Sequence, residues 1–318
     1  MRKITFIFCL LFSCGLVAQN RISYSQYMHN QGVFNPAYFS EENQLVATSY
    51  LRKQWLGIDG APTTKSLVAG VAINSKHVLN LNIYQDDITI FNDVKFGVGY
   101  NYRITISKST LLAFGIKGDV GFIEADYASL KVQNPDDYIL NNNLESQNYM
   151  NFGVGLYLQS ANYFAGFSMP HLLKNAIDKT KDAIINRQLK FNQTYFTMGN
   201  KFQFDNLTFT PTALVKGVSG SPLQLDVNAN FLIKEQVWLS GGYRSNNEII
   251  LAMGYLLFKN IKLVYSYDFS LFPSSSYYSG SHELSLGYGM SFYKNNYQSD
   301  KRKILKKNSK FKKNKKYP

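Results

Sequence analysis

The sequence predicts an all-β protein: a transmembrane antiparallel up-and-down β-barrel of about fourteen strands, set in an outer membrane. Three observations predict it. Apolar residues recur at every second position in run after run between 207 and 293, the chain opens on an export leader, and its connections alternate between short and long. A period of two belongs to a strand, whose successive side chains leave on opposite faces. Leu223, Leu225, Val227, Ala229, Phe231 and Ile233 share one face, with Gln224, Asp226, Asn228 and Asn230 on the other. Runs of about ten residues with an apolar, aromatic face and a polar face suit a wall between lipid and a wet lumen. A soluble sandwich carries the same alternation, so the compartment decides.

The leader settles the compartment. Arg2 and Lys3 precede an apolar run from Ile4 to Phe12 and small residues up to Ala18, which is the pattern of a signal peptide over residues 1–18, cut after Ala18. Leu11-Phe12-Ser13-Cys14 also resembles a lipoprotein box, the alternative in which Cys14 carries lipid. Cys9 and Cys14 are the only cysteines, so a chain cut after Ala18 has neither a structural disulfide nor thiol catalysis. No later window approaches the roughly 18 apolar residues of a membrane helix. An exported chain rich in amphipathic strands fits the outer membrane of a Gram-negative bacterium, with outer-membrane lipid around it.

The formal charge of +13 suggests nucleic acid until it is located. Ten Lys/Arg and one Asp fall within 295–318, and Arg2 and Lys3 lie in the leader, which leaves about +2 for the rest. An exported body close to neutral has no nucleic-acid partner to expect.

After the leader, residues 19–43 form an N-terminal periplasmic or lumen segment, irregular in pattern, with Asn35-Pro36 breaking any strand. Residues 44–294 form the barrel. Its strands are expected at 44–54, 64–74, 77–86, 92–105, 109–124, 149–159, 162–170, 190–204, 207–217, 222–233, 236–245, 248–258, 261–272 and 281–293. Every second connection is a tight turn: Ser75-Lys76, Ser107-Lys108, Ser160-Ala161, Asp205-Asn206, Lys234-Glu235 and Lys259-Asn260. The others, 55–63, 87–91, 125–148, 171–189, 218–221 and 273–280, are longer, with Asn246-Asn247 as the exception. Barrels of the outer membrane have short periplasmic turns and longer outer loops, and an even strand number leaves both termini in the periplasm. Residues 295–318 read as a basic, disordered periplasmic tail, or else as a docking arm for an acidic partner. The last strand ends in Phe292-Tyr293, well before the C-terminus.

The residues that carry chemistry are sparse. His29, His77, His171 and His282 have no partner at metal-ligand spacing, so no metal and no cofactor is expected. His171 with Asp178 and His282 beside Glu283 leave an outer-membrane hydrolase as a distant alternative. Gly97-Val98-Gly99 and Gly153-Val154-Gly155 lie inside strands with no helix to follow, so they are not phosphate loops and instead permit curvature or aromatic packing. Asn134-Pro135-Asp136-Asp137 and Asn141-Asn142-Asn143 lack the spacing of a calcium loop. The apolar residues among Lys and Asp in 171–189 suggest a short amphipathic helix.

Two stretches resemble a known family. Residues 24–38, YSQYMHNQGVFNPAY, and 52–67, RKQWLGIDGAPTTKSL, are similar to the QYM-x-N-x4-NPAY and RKQW-x-G-x-DGAPTT patterns of the PorP/SprF outer-membrane proteins of Bacteroidota. The resemblance implies a part in type IX secretion and, for some members, gliding motility, with adhesin-like secreted surface proteins and other type IX components as partners. Trp55, Ile58, Asp59 and Pro62 are then candidate partner contacts on a rigid first loop, with Trp55 as an anchor or else an interfacial aromatic. Tyr27, Phe34, Asn35, Pro36 and Tyr38 are candidates for a lumen plug. The expected function is that of a secretion-associated interaction protein and not an enzyme. The alternative is a passive channel for small solutes, lined by Gln224, Asp226, Asn228 and Asn230.

Overall fold

A computed structural model describes residues 24–38, 45–129, 144–178, 183–258, 260–271 and 278–290, with side chains at all of these but 128, 144, 145 and 174–192. The leader, the basic tail with Phe292-Tyr293, and the Asn-rich stretch after residue 129 lie outside the described residues.

The wall begins with β1 (Leu45–Lys53), β2 (Thr63–Ala72), β3 (His77–Ile88), β4 (Phe91–Ser107) and β5 (Thr110–Ala125). It continues with β6 (Leu144–Ser160), β7 (Tyr163–Asp178), β8 (Ala183–Asn200), β9 (Phe202–Gln203) and β10 (Leu207–Val218). It ends with β11 (Gln224–Ile233), β12 (Val237–Arg244), β13 (Glu248–Leu257), β14 (Ile261–Ser270) and β15 (Ser281–Met290). Each strand runs antiparallel to the strands it pairs with, and β15 pairs with β1, from Lys53↔His282 to Leu45↔Met290, so the sheet closes. The two-residue β9 continues the path of β8 along β10, which leaves a closed antiparallel barrel of fourteen staves. Closure removes the strand edges that an open sheet would expose.

The alternation read in the sequence becomes an inside and an outside. Gln224, Asp226, Asn228 and Asn230 are buried toward the lumen, while Leu225 and Val227 between them are exposed. Along β13, Leu251, Met253 and Tyr255 face out and Ile250 and Ala252 face in. Val98 is 67% exposed and Met253 62%, whereas Arg52, Asp226, Arg244 and Glu283 are at most 2% exposed. This inverts a soluble protein, and the outer surface needs an apolar solvent. Among the described residues no helix is long and apolar enough to cross a membrane, so the crossing falls to strands.

The tight turns fall within a residue or two of the expected places; of Lys259-Asn260, only Asn260 is among the described residues. At Lys234 and Glu235 both residues are left-handed, at φ 51° and 58°, the backbone that matches hairpin twist. Three expectations need correction. The connection 87–91 shrinks to Thr89-Ile90, because β3 runs on to Ile88 and pairs with Phe91. β6 starts at Leu144, not 149. The loop 171–189 and its amphipathic helix give way to a hairpin, with β7 reaching Asp178 and β8 starting at Ala183, joined by pairs such as Leu173↔Leu189 and Ile177↔Ile184. The apolar doublets there are spent on cross-strand pairs. The barrel is uneven as a result: β4 to β8 have 16 to 18 residues each, and β11 to β15 have 8 to 10.

Candidate functional site

Residues 24–38 pack inside the barrel and touch both walls. At the loop end, the Tyr24 hydroxyl donates to Ser66 Oγ at 3.0 Å. The Ser25 and Gln26 amides donate to the two oxygens of the Glu283 carboxylate, at 2.9 and 3.1 Å. Arg52 completes the grip: its Nη1 donates to Ser25 Oγ at 2.8 Å and to Glu283 at 3.1 Å, and its Nη2 donates to Asp268 at 2.7 Å. The Ser25 hydroxyl donates to Asp268 at 2.5 Å. A second guanidinium, Arg244, meets Asp226 and Glu248 at 2.9 Å each and lies 3.7 Å from Asp268. Strand parity puts all of these on inward positions. Charges so far from water persist only when each is paired and hydrogen-bonded.

The segment then descends to the turn end. His29 Nδ1 accepts from Lys262 Nζ at 2.7 Å, and that ammonium lies 4.4 Å above the Trp238 ring. Asn30 accepts from Gly32 N–H at 2.9 Å and so caps a short 3-10 turn, Gln31–Val33. Phe34 stacks on Tyr195 at 4.6 Å beside Tyr27 and Leu214, and the Tyr27 hydroxyl accepts from Asn228 at 2.7 Å. Tyr38 meets Tyr157 edge-on at 5.2 Å.

Asn35, Pro36 and Ala37 lie against the tall wall. Asn35 Oδ1 accepts from Ala37 N–H at 2.9 Å, a local turn that fixes the tripeptide, and its Nδ2 donates to the Leu156 carbonyl at 3.1 Å. The Pro36 carbonyl accepts from Asn80 at 3.1 Å, and the Ala37 carbonyl from Asn101. The backbone comes this close because Gly115 and Gly155, directly paired across β5 and β6, have no side chains. A Cβ on Gly115 would overlap the Pro36 carbonyl and the Ala37 nitrogen, and one on Gly155 would overlap Asn35 Oδ1. The candidate plug residues Tyr27, Phe34, Asn35, Pro36 and Tyr38 are therefore brought together, along with partners that reading the sequence missed. The available signal was the inward parity of Arg52, Asp226, Arg244, Asp268 and Glu283.

The first long loop, 54–62, forms a second, separate feature. Trp55 is held at φ 46°, and Gly57 and Gly60 take φ 106° and 72°, values that favour glycine. Leu56 N–H donates to the Gly280 carbonyl at 2.9 Å and Ser279 N–H to the Leu56 carbonyl at 2.7 Å, while Thr89 N–H donates to the Gly60 carbonyl at 2.9 Å. Fastened on both sides, the loop leaves Trp55 41% and Ile58 43% exposed, with Leu56 and Asp59 exposed beside them. Pro62 is a correction: it is buried at the loop base, where its carbonyl accepts from Gln54 N–H at 3.0 Å, and it offers a partner no surface.

The lumen residues Gln224, Asp226, Asn228 and Asn230 are engaged: Gln224 donates to Asp226, Asp226 pairs with Arg244, Asn228 donates to Tyr27, and Asn230 donates to Thr210. His282 points outward, 2.7 Å from the Tyr265 hydroxyl, while Glu283 points inward, so strand parity separates the two. Among the described residues no group of three or more His, Cys, Asp or Glu side chains has an arrangement that could hold a metal ion.

The family model described as type IX secretion system membrane protein PorP/SprF matches residues 16–288. Curated proteins give no match. Among solved structures, the CymD monoaromatic hydrocarbon channel is similar at 8% identity and a TM-score of 0.52, over 88% of this chain and 96% of that one. The Ralstonia pickettii toluene transporter TbuX matches at 10% identity and a TM-score of 0.48, over 85% and 94%, and the Acinetobacter baumannii outer membrane protein Omp33 at 6% and 0.43, over 79% and 98%. At such identity, the likeness to CymD shows the barrel fold alone.

Proposed function

Since the chain belongs to the PorP/SprF family of type IX secretion membrane proteins, we propose that this outer-membrane barrel helps particular secreted proteins, adhesin-like in kind, to reach or stay on the cell surface by direct contact. It is associated with type IX secretion, and in a gliding cell the same contact serves motility. The tight turns face the periplasm and the long loops the exterior, so β1 starts and β15 ends on the periplasmic side, where the basic tail follows. The N-terminal segment acts as a plug, and the barrel is a scaffold that carries out no catalysis.

The observation that carries this reading is a lumen occupied by the chain's own residues 24–38, combined with a fastened loop that exposes Trp55, Leu56 and Ile58. A passive, permanently open channel needs an unobstructed route through the lumen instead. Rigid aromatic and aliphatic side chains on a surface loop suit a protein contact. The test compares surface-biotinylated protein from cells that lack the chain, carry it, or carry Trp55→Ala with Ile58→Ala. Loss of particular surface proteins in the first and third is expected. Full surface display without the chain, or steady open conductance of the purified barrel in a planar bilayer, would overturn the reading.

A further inference from the structure

The ladder between β6 and β7 stops early. β6 pairs with β5 from Ser160 to Leu144, but with β7 only over Val154–Gln159 against Phe164–Met169. Asn151, Phe152 and Gly153 have ladder partners on β5 alone: Asp119, Gly118 and Lys117. On β7 the residue after Met169 is Pro170, which has no N–H to offer, and the pairing with β8 shifts register three times between Ser168 and Ala176. Gly153 lets the Pro170 carbonyl come near, since a Cβ there would lie 2.6 Å from it. Phe152, half exposed, faces out in line with Val154 and Leu156 on the lipid side of the wall. Backbone groups at that level cannot count on water.

One side chain bridges the seam. Asn151 is buried; its Nδ2 donates to the Leu173 carbonyl at 2.8 Å, and its Oδ1 accepts from Leu173 N–H at 3.0 Å and from Phe152 N–H at 2.9 Å. A carboxamide has the donor and acceptor of a peptide group, and with Leu173 it makes the two-bond exchange that a strand residue makes with its partner. We propose that this carboxamide stands in for one rung of a missing strand, and that the β6–β7 seam accepts an extended segment of a protein partner, which displaces Asn151 and pairs along β6. An acyl chain has no donors or acceptors for such an edge, which excludes lipid as the occupant. The proposal deepens the contact role given above and rests on it.

The test uses the full mature chain in nanodiscs with Asn151→Cys, a single thiol because no cysteine follows Ala18. Two probes are compared: a ten-residue alternating Thr-Val peptide whose one central cysteine is activated as its 2-thiopyridyl disulfide, so that attack by the introduced thiolate releases pyridine-2-thione, and the same activated peptide with proline at alternate positions. The first should form the mixed disulfide about tenfold faster, since proline removes the amides that an edge needs. Phe152→Cys keeps the carboxamide and replaces the first variant if that one does not fold; the same preference at a lower rate is expected. Equal rates for the two peptides would overturn the site. If the chain fails this test while its deletion still strips proteins from the cell surface, the seam proposal falls and the secretion role stands.

Discussion

The wall from β11 through β15 to β1 consists of strands of 8 to 10 residues and holds residues 25 and 26 through charge, whereas the wall from β4 to β8, 16 to 18 residues tall, receives residues 35–37 through absent side chains. The first grip has partners of opposite sign at fixed distances inside a low-dielectric space, so losing one member leaves the others buried and uncompensated and the grip fails sharply. The second is a matter of shape: two paired glycines leave a trough one backbone deep, and only added atoms can close it. A single short segment thus has an electrostatic end and a steric end, and the two respond to different damage.

Removing charge should hurt most. Arg52→Ala leaves Asp268 and Glu283 buried without their shared guanidinium and should cost about 3–5 kcal/mol, read as a fall in the urea midpoint of the folded band on unboiled gels. Arg52→Lys should recover only part of this, because one ammonium cannot reproduce the fork. Filling the trough comes next: Gly115→Leu should cost about 1–3 kcal/mol and expose the peptide bonds near Pro36 to protease while the wall stays folded. A wall that unfolds together with the segment would show that the two regions are one cooperative unit. Asn35→Ala should cost about 1–2 kcal/mol, through the orphaned Leu156 carbonyl and the lost turn. Trp55→Ala lies outside both grips and should change the midpoint by no more than about 0.5 kcal/mol while still depleting the contacted surface protein.

Much of the wall was legible because lipid on one side and packed polar groups on the other force a strict alternation, as at Leu225 and Asp226. Legibility failed where that pressure lapses. In 171–189 the apolar residues come in doublets, Leu172-Leu173 and Ile184-Ile185, which imitate a helical face; only pairing with the returning strand reveals a hairpin. From Glu145 to Asn148 the sequence has polar residues only, so the start of that strand shows no apolar period. At the site, Asn35, Pro36 and Tyr38 stood out in the sequence, but their seats did not. Gly115 and Gly155 are 40 positions apart and become one trough only when register aligns them. The same holds for Arg52, whose acids arrive from residues 268 and 283.

The Ser25 amide binds a carboxylate 258 residues further along the chain. The portion synthesised and exported first must therefore wait for the last stave before it finds its seat. Its docking is a late event that reports a finished cylinder, and any machinery that threads or shields the nascent polypeptide has an unpaired leading end to hold until then.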